Sequence, residues 1–336
     1  MLRRLESREY SKVLLLPRFV SKGVLRKGAL AAVAAVVALS ASAADSPMPP
    51  DIAKKLAELG RVIDPQATSK LYAPLQPTEP YFGYRIERDL KYGPAERNRL
   101  DIFLPQATTS GRPVLIFVHG GAFIGGNKRQ TPESPFYDNI MLWAVKNGFI
   151  GVNMTYRLAP GSPWPAGAED IASAIQWVSQ QIGERGGDPS RIYLMGHSAG
   201  AIHVASYVSH PEFYKVKNGG VKGAIMVSAL YDLTAAPLTD PERAYFGSDA
   251  SRYAAESSLP GLLKTNIPLM AVSSELDLPG FVRQLDHFKD TTCKRTSGCA
   301  RSVMLPQHNH MSEVYSINTD DTRLTDQILD FIKTGK

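Results

Sequence analysis

Residues 192–200 read Ile-Tyr-Leu-Met-Gly-His-Ser-Ala-Gly, and this stretch decides the fold. The apolar and aromatic residues before Gly196 predict a buried strand, and the apolar residues 201–208 predict a helix. Because the glycines on either side of Ser198 have no Cβ, the chain can turn sharply there and point the hydroxyl out of the fold. The stretch therefore predicts a serine nucleophile at a tight strand-to-helix turn.

Strand-like and helical segments alternate on both sides of this turn. The predicted strands are Tyr84–Leu90, Leu100–Leu104, Val114–Val118, Phe149–Asn153, Ile192–Met195, Ala224–Ser228, Leu269–Val272 and Ser302–Leu305. The predicted helices are Tyr137–Lys146, Glu169–Gln181, Ala199–Ser209, Phe281–Asp290 and Thr322–Lys333. This alternation predicts an α/β fold with a mostly parallel central sheet and helices on both faces. Residues 231–266 are more than a plain crossover needs, and we expect them to form a small cap.

The first 43 residues have the composition of an export signal. Eight Lys and Arg precede an apolar run of 12 residues, Gly28–Leu39, which is followed by the small residues of Ala41–Ala43. The run is shorter than the roughly 20 residues that span a bilayer. We therefore expect a signal peptide over residues 1–43, cleaved after Ala43 or Ala44, and a periplasmic or secreted protein without stable membrane insertion. An uncleaved anchor and a start codon placed too early are the alternatives.

The basic character of the chain comes from this leader. The net charge is +6, and eight of 38 basic and two of 32 acidic residues lie within residues 1–43. The remaining 30 basic and 30 acidic residues balance, so nothing in the charge indicates a nucleic-acid partner. We interpret residues 44–83 as an N-terminal arm and residues 84–336 as a single α/β domain.

The two cysteines, Cys293 and Cys299, are separated by five residues near the predicted C-terminal strand. In an exported chain, such a close pair predicts a disulfide across a small loop. Two ligands cannot form a structural zinc site unaided. Two free thiols in a reducing compartment are the alternative.

Residues 119–127 form a glycine-rich loop directly after the strand Val114–Val118. This loop predicts the N–H donors that stabilise an oxyanion developing on the substrate. Glycines at a strand end allow backbone N–H groups to point into one cavity. We expect Gly121 and Ala122 to supply two of these N–H groups and Ala199, just after the nucleophile, to supply the third. His119 is interpreted as a hydrogen-bonding brace for the loop rather than as a base.

A serine hydroxyl needs a base to accept its proton, and the base needs a carboxylate to orient it. Asp277, in the turn after the strand Leu269–Val272, is the predicted carboxylate, with Glu275 and Asp232 as rivals. His310, after the last strand, is the predicted base, with His308 as its rival.

The other histidines are assigned no chemical role. His197 lies beside the nucleophile and points the wrong way to serve as its base. The helical or near-helical positions of three more indicate structural or solvent roles: His203, His210 and His287.

The chain order Ser198, Asp277, His310 is that of the α/β-hydrolase fold, and the sequence resembles carboxylesterases of the hormone-sensitive-lipase-like and feruloyl-esterase-like groups. The resemblance is carried by His119–Phe123, Tyr156–Pro160, Pro165–Asp170, Gly196–Gly200 and the Asp277 and His310 segments. It implies that Tyr156 and Asp170 brace the oxyanion loop and the nucleophile helix.

Two positions depart from the hormone-sensitive-lipase-like pattern: Ala122 replaces a glycine and His197 replaces an aspartate. His197 moves the resemblance toward the feruloyl-esterase-like and arylformamidase-like branch. The resemblance implies a serine carboxylesterase acting on small or medium esters through an acyl-enzyme, with no metal and no organic cofactor. An arylformamidase or amidase acting on small amides is the first alternative, and a catalytically silent binding protein with this fold is the second.

Overall fold

The central strands are continuous apolar runs, as expected for strands covered on both faces. Alternate residues of β3 (Arg112–Val118) belong to two different buried clusters, Val114 and Ile116 to one and Leu115 and Phe117 to the other. Since successive side chains of a strand point to opposite faces, the two clusters lie on opposite sides of the sheet. The fold therefore has three layers, with the sheet in the middle.

The computed structural model describes residues 48–107, 110–295 and 298–336, so the predicted signal peptide lies outside the described residues. The other strands are β1 (Tyr84–Lys91), β2 (Arg99–Pro105), β4 (Ile150–Met154), β5 (Gly187–His197), β6 (Gly223–Val227), β7 (Leu269–Leu276) and β8 (Arg301–Asn309). They form one sheet in the order β1-β2-β4-β3-β5-β6-β7-β8. The pairings of β2 with β1 and β4 are antiparallel and the rest are parallel. The predicted mostly parallel sheet is confirmed.

Helices cover both faces of this sheet. They are α1 (Pro50–Leu59), α2 (Pro65–Tyr72), α3 (Asp138–Lys146), α4 (Ala166–Gln181), α5 (Ala199–Ser209), α6 (Asp240–Phe246), α7 (Tyr253–Glu256), α8 (Leu259–Leu262), α9 (Pro279–Thr292), α10 (Ser312–Tyr315) and α11 (Arg323–Thr334). The cores of α4 and α5 belong to one buried cluster, and those of α1, α3 and α11 belong to the other. None of the helices in the described ranges has the length and hydropathy needed to cross a bilayer.

The N-terminal arm packs against the C-terminal part of the domain. Leu56 of α1 is fully buried and belongs to the same apolar cluster as Leu305 and Met311. The helix α2, which the sequence analysis does not predict, begins after Asp64, whose carboxylate accepts a hydrogen bond from the Ala67 N–H at 2.8 Å. Aspartate in this position satisfies one of the unpaired N–H groups at a helix start, so the helix had a readable start signal.

The segment between β6 and β7 forms the three short helices α6, α7 and α8. Tyr245 and Phe246 of α6 pack their rings on Phe123 of the glycine-rich loop, at centroid distances of 4.7 and 5.6 Å. The Tyr245 hydroxyl also accepts a hydrogen bond from the Gly167 N–H at the start of α4. This segment therefore holds the glycine-rich loop from the side of α4 and α5.

The structure brings Cys293 and Cys299 together after α9, with 4.0 Å between their Cα atoms. This proximity is consistent with the predicted disulfide, which stays a prediction for the protein in solution.

We expect Leu56→Ala to lower the free energy of unfolding by about 2–5 kcal/mol, the usual range for truncating a buried leucine. The matched control is Lys55→Ala on the exposed face of the same helix, which should change stability by less than about 0.5 kcal/mol. Urea denaturation of both variants checks this. Equal midpoints for Leu56→Ala and wild type would mean that the arm unfolds separately from the domain.

Candidate active site

Ser198 lies at the apex of the turn between β5 and α5. Its φ is 55°, a left-handed value that non-glycine residues rarely adopt and that costs on the order of 1–3 kcal/mol. A hydrogen bond of 2.8 Å from its N–H to the Val227 carbonyl anchors the turn to β6. The side chain of Ser198 is partly exposed, whereas its neighbours His197 and Ala199 are buried. The turn therefore presents one hydroxyl to solvent from an otherwise buried segment.

The two glycines of the turn are required by backbone packing. A Cβ on Gly196 would lie 2.4 Å from the Gly200 carbonyl oxygen, and a Cβ on Gly200 would lie 2.2 Å from the Val118 carbonyl oxygen. The start of α5 thus touches the end of β3 directly. This contact places Ser198 next to the glycine-rich loop that follows β3.

The glycine-rich loop contains backbone conformations that favour glycine. Gly121 has a φ of 136° and Ala122 a φ of 52°. A Cβ on Gly120 would lie 3.0 Å from the Ser198 Cβ, so the loop runs against the nucleophile. Both Gly121 and Ala122 line the cavity that contains Ser198, and the Ala199 N–H, the first of α5, has no partner within its own helix. These three N–H groups are the predicted oxyanion donors.

His119 braces the loop in its neutral form. Burial lowers the pKa of His119 to about 3, so the imidazole carries one proton at neutral pH. Its Nδ1 lies 2.6 Å from the Gly120 carbonyl oxygen, which accepts a hydrogen bond from the Nδ1–H tautomer. The ring stacks on Tyr156 at 4.4 Å, and the Tyr156 hydroxyl donates a 2.8 Å hydrogen bond to the His119 carbonyl.

Asp170 of α4 holds the segment that contains Tyr156. Its carboxylate accepts hydrogen bonds from the Arg157 backbone N–H at 2.8 Å and from the Arg157 Nε at 2.9 Å. Asp170 is buried, so this paired geometry fixes the chain after β4 firmly against α4. Tyr156 and Asp170 therefore act on the site through the loop and do not face the cavity around Ser198.

Asp277 and His310 meet after the carboxyl ends of β7 and β8. The His310 Nδ1 donates to the Asp277 Oδ1 at 2.9 Å, which leaves the Nε2 as the basic nitrogen of the ring. Burial alone would raise the pKa of Asp277. The hydrogen bond and charge of His310 and the hydrogen bonds from Ser228 and the Leu278 N–H outweigh it and lower that pKa. Asp277 is thus an anion that can stabilise a charged His310.

The rival residues have other partners. Glu275 accepts a hydrogen bond from the Gln307 N–H at 2.8 Å, and Asp232 accepts one from the Thr234 N–H in its own turn. His308 is buried, with its Nε2 3.1 Å from Asp321 and its Nδ1 3.0 Å from Ser312. Neither Glu275 nor Asp232 therefore contacts His310, and His308 does not line the cavity that contains Ser198.

His197 has a role that the sequence analysis does not predict. Burial lowers its pKa to about 4, so it is neutral at pH 7. Its Nε2 lies 2.8 Å from the carbonyl oxygen of His310, which accepts a hydrogen bond from the Nε2–H tautomer. His197 therefore fixes the backbone of the predicted base. An aspartate at this position would have no proton to donate to that carbonyl.

A cavity of about 570 Å³ contains both Ser198 and His310. The cavity is lined by the glycine-rich loop and also by Ile63 and Pro65 of the N-terminal arm. The arm also reaches the acid, because the Arg61 Nη1 donates a 2.9 Å hydrogen bond to the Asp277 carbonyl. The sequence predicts a small cap over the site in residues 231–266. In the described part of the chain, however, none of those residues lines this cavity.

Two buried polar residues behind Asp277 are also absent from the sequence analysis. Ser228, just after β6, has its Oγ 2.5 Å from the Asp277 Oδ2 and 2.6 Å from the Glu313 Oε1. Ser228 follows the carboxyl end of a parallel strand, where ligand-binding residues of such sheets occur, and this position was the available signal. Glu313 carried no comparable signal.

Among the described residues, only one group of three or more potential metal ligands is close together, and its ligand atoms lie within 4.8 Å of one another: His197, His310 and Glu313. The Nδ1 of His310 is directed at Asp277, and the Nε2 of His197 at a backbone carbonyl. Both imidazole nitrogens are therefore used in hydrogen bonds to the protein and do not point toward a common metal position.

Comparison with known proteins identifies two family models. The BD-FAE model matches residues 100–224, and the model of the prolyl oligopeptidase family matches residues 165–335, just over half of the chain. The chain is 33% identical over 203 residues to the probable carboxylic ester hydrolase LipM of Mycobacterium tuberculosis. That alignment covers 57% of this chain and 46% of LipM.

The chain is also 36% identical over 202 residues to the esterase LipQ of the same organism, covering 56% of this chain and 45% of LipQ. The chain thus spans less than half the length of these relatives. Among solved structures it resembles esterase B of Lactobacillus rhamnosis, with a TM-score of 0.66 and 15% identity over 85% of this chain and 94% of that one. Together with the sheet order, this similarity confirms the predicted α/β-hydrolase fold.

We expect Gly200→Ala to destabilise the protein by about 1–3 kcal/mol or more, because the added methyl group meets two backbone carbonyls that cannot move apart cheaply. Gly183→Ala is the matched control, since a Cβ there meets nothing within 4 Å and the φ is not left-handed. Thermal unfolding of the two variants tests this. A Gly200→Ala protein as stable as the control would contradict the close contact between α5 and β3.

Proposed function

This chain belongs to the prolyl oligopeptidase family, and we propose that it is a serine carboxylesterase that hydrolyses small or medium carboxylic esters. The observation that carries the proposal is a single cavity lined by Ser198, by His310 and by the glycine-rich loop, with Asp277 bonded to the far side of His310. A strained serine, an imidazole oriented by a carboxylate, and backbone N–H groups at the cavity are the components that acyl transfer requires.

In the first half of the reaction, the Nε2 of His310 accepts the hydroxyl proton of Ser198 as the Oγ attacks the ester carbonyl carbon. The carbonyl oxygen becomes an oxyanion, which the N–H groups of Gly121, Ala122 and Ala199 stabilise. Asp277 stabilises the imidazolium that forms and keeps the ring in place. His310 then gives its proton to the departing alkoxide, and an alcohol leaves.

In the second half, His310 accepts a proton from a water molecule that attacks the acyl-enzyme. The second oxyanion occupies the same N–H groups, and its collapse breaks the bond to the Ser198 Oγ, which regains a proton from His310. The products are a carboxylic acid and the free enzyme. All proton transfers use side chains of the chain itself.

The size and lining of the cavity support small or medium esters. Its apolar surface is supplied by Ile63, Met311 and the loop glycines, and its polar side chains by Asn127 and Gln130. LipM and LipQ are named as an ester hydrolase and an esterase, and we extend ester hydrolysis from them to this chain.

Amide hydrolysis is the second candidate, because the matching family takes its name from a peptidase. The same serine, base and oxyanion donors can attack an amide if the leaving nitrogen receives the His310 proton. Rates on an ester and an amide with the same acyl group separate the two functions. A higher kcat/KM for the ester supports the proposal, and a higher value for the amide favours the alternative.

We expect Ser198→Ala to lower kcat on short-chain aryl esters by roughly 10⁴-fold or more, because the nucleophile is removed. The variant should also lose all labelling by a fluorophosphonate probe. Ser190→Ala, at an exposed serine on β5, is the matched control and should keep wild-type activity and labelling. If wild type neither turns over esters nor reacts with the probe, the chain is a silent binding protein.

Export to the periplasm or out of the cell is the second part of the proposal. The basic and apolar composition of residues 1–43 supports it, and so does the proximity of Cys293 to Cys299, since disulfides persist in oxidising compartments. In this reading the enzyme acts on esters outside the cytoplasm.

We expect the exported protein to begin at Ala44 or Asp45 and to gain the mass of two hydrogen atoms on reduction of the cysteine pair. N-terminal sequencing and intact mass spectrometry before and after reduction measure both. A protein that keeps residues 1–43 would contradict the cleavage, and an unchanged mass would contradict the disulfide.

A further inference from the structure

Ser198, His310 and Asp277 form the proposed catalytic triad. Three buried oxygen atoms, one of them the Asp277 oxygen that does not bind His310, lie in a row of close contacts. The Ser228 Oγ lies 2.5 Å from the Asp277 Oδ2 on one side and 2.6 Å from the Glu313 Oε1 on the other. All three residues are fully buried. These separations are those of hydrogen bonds to charged or strongly polarised oxygens.

The number of protons that Ser228, Asp277 and Glu313 carry determines which of their oxygen atoms donate hydrogen bonds and which accept them. A serine hydroxyl has one hydrogen and can therefore donate to only one of the two carboxyl groups. If both carboxyl groups were ionised, the second contact would place two oxygen lone pairs against each other in a buried site, which is unfavourable. One of the two carboxyl groups must therefore carry a proton.

The surroundings of the two carboxyl groups assign this proton to Glu313. Asp277 accepts hydrogen bonds from His310 at 2.9 Å and from the Leu278 N–H at 2.6 Å, and both stabilise its anion. No cation in the described ranges pairs with Glu313, and its Oε2 is reached only by the weak, poorly aligned contact of the Ser274 hydroxyl. His197 lies 3.5 Å from the Oε1, but its N–H is directed at the His310 carbonyl.

We propose that Glu313 is a protonated positioning residue, whose carboxyl group donates to Ser228 so that Ser228 donates to Asp277. This relay fixes the second oxygen of Asp277 while the first one holds His310. The inference rests on the proposed function in that it assigns Glu313 a role in the same triad. Glu313 does not touch the substrate or Ser198 and acts only through Ser228 and Asp277.

The backbone at Ser228 is consistent with this role. Its φ is 54°, a left-handed value, and its N–H donates a 2.8 Å hydrogen bond to the Val272 carbonyl of β7. The fold therefore holds this serine in a costly conformation that directs its hydroxyl between two carboxyl groups.

The titratable groups that face Glu313 are Asp277, His310, His197 and Tyr231. Burial and, secondarily, the charge of Asp277 raise the pKa of Glu313 well above its usual value. The charge of His310 and the hydroxyl groups of Ser228 and Ser274 oppose this rise only in part. Above that raised pKa, a second anion would form next to Asp277 and the relay would lose its donor. We therefore expect activity to fall at high pH.

The first test measures unfolding against pH in wild type and in Glu313→Gln, whose amide group keeps a donor but cannot titrate. A carboxyl group that is protonated when folded and ionised when unfolded makes unfolding easier as pH rises. The unfolding constant of wild type relative to Glu313→Gln should rise about tenfold per pH unit above the usual glutamate pKa. A pH-independent ratio would overturn the assignment of the proton.

Glu256→Gln is the matched control for this test. Burial also raises the pKa of Glu256, but Arg252 at 2.5 Å opposes this rise with its charge and a hydrogen bond, whereas no such cation faces Glu313. The unfolding constant of wild type relative to Glu256→Gln should rise less steeply with pH than that of wild type relative to Glu313→Gln, and the reactivity of Glu256→Gln at Ser198 should equal that of wild type.

The second test measures the rate of fluorophosphonate labelling at Ser198, which needs the triad but no particular ester. Loss of one charge-assisted hydrogen bond predicts that Glu313→Ala and Ser228→Ala label about 10- to 100-fold more slowly at neutral pH. Glu313→Gln should restore labelling at neutral pH and extend it to higher pH than wild type. Circular dichroism checks that each variant is folded.

The outcomes separate this inference from the proposed function. If wild type reacts with the probe but hydrolyses no ester, the carboxylesterase proposal is overturned. The unfolding and labelling results still decide the role of Glu313, because neither measurement uses an ester. If wild type does not react with the probe, the positioning role is overturned together with the triad. If folded Glu313→Ala and Ser228→Ala label as fast as wild type, the positioning role is overturned and the carboxylesterase proposal is untouched.

Discussion

The close contact between the first turn of α5 and the end of β3 is the constraint on which the rest of the site depends. No side chain fits between Gly200 and the Val118 carbonyl, so two backbone segments from distant parts of the chain meet directly. This contact places Ser198, the predicted nucleophile, beside the glycine-rich loop. The strain at Ser198 follows from the same geometry, and the sheet on both sides supports it.

Buried charge is the second theme of the structure, and most buried carboxylates have a cation close by. Asp138 is bound by Arg88 at 2.6 Å, and Asp170 is bound by Arg157 at 2.9 Å. Asp277 relies instead on hydrogen bonds and on His310. Since an unpaired buried charge costs several kcal/mol, a group without such partners is expected to be neutral. Glu313 is such a group, and this is the physical basis for proposing that its carboxyl group is protonated.

Much of the sheet was predictable because its strands are apolar runs that end at glycine, proline and polar residues. All eight predicted strands are present, and α5 has the predicted bounds. The helix α2 was missed, although Asp64 and Pro65 form a typical helix start. The cover of the cavity was assigned to residues 231–266. Ile63 and Pro65 of the N-terminal arm line the cavity instead, and no local pattern predicts this, because it depends on packing between distant parts of the chain.

The sequence by itself determined the order of the elements, the turn at Ser198 and the candidate acid and base, since these follow from local patterns and from the ends of strands. Only the tertiary structure shows that His310 contacts Asp277 while His308 contacts Asp321, because the two histidines are close in sequence and differ only in their distant partners. It alone shows the hydrogen bond between His197 and the His310 carbonyl and the contacts of Ser228 with Asp277 and Glu313. Such roles depend on burial and on contacts between residues far apart in the chain, and no local pattern encodes them.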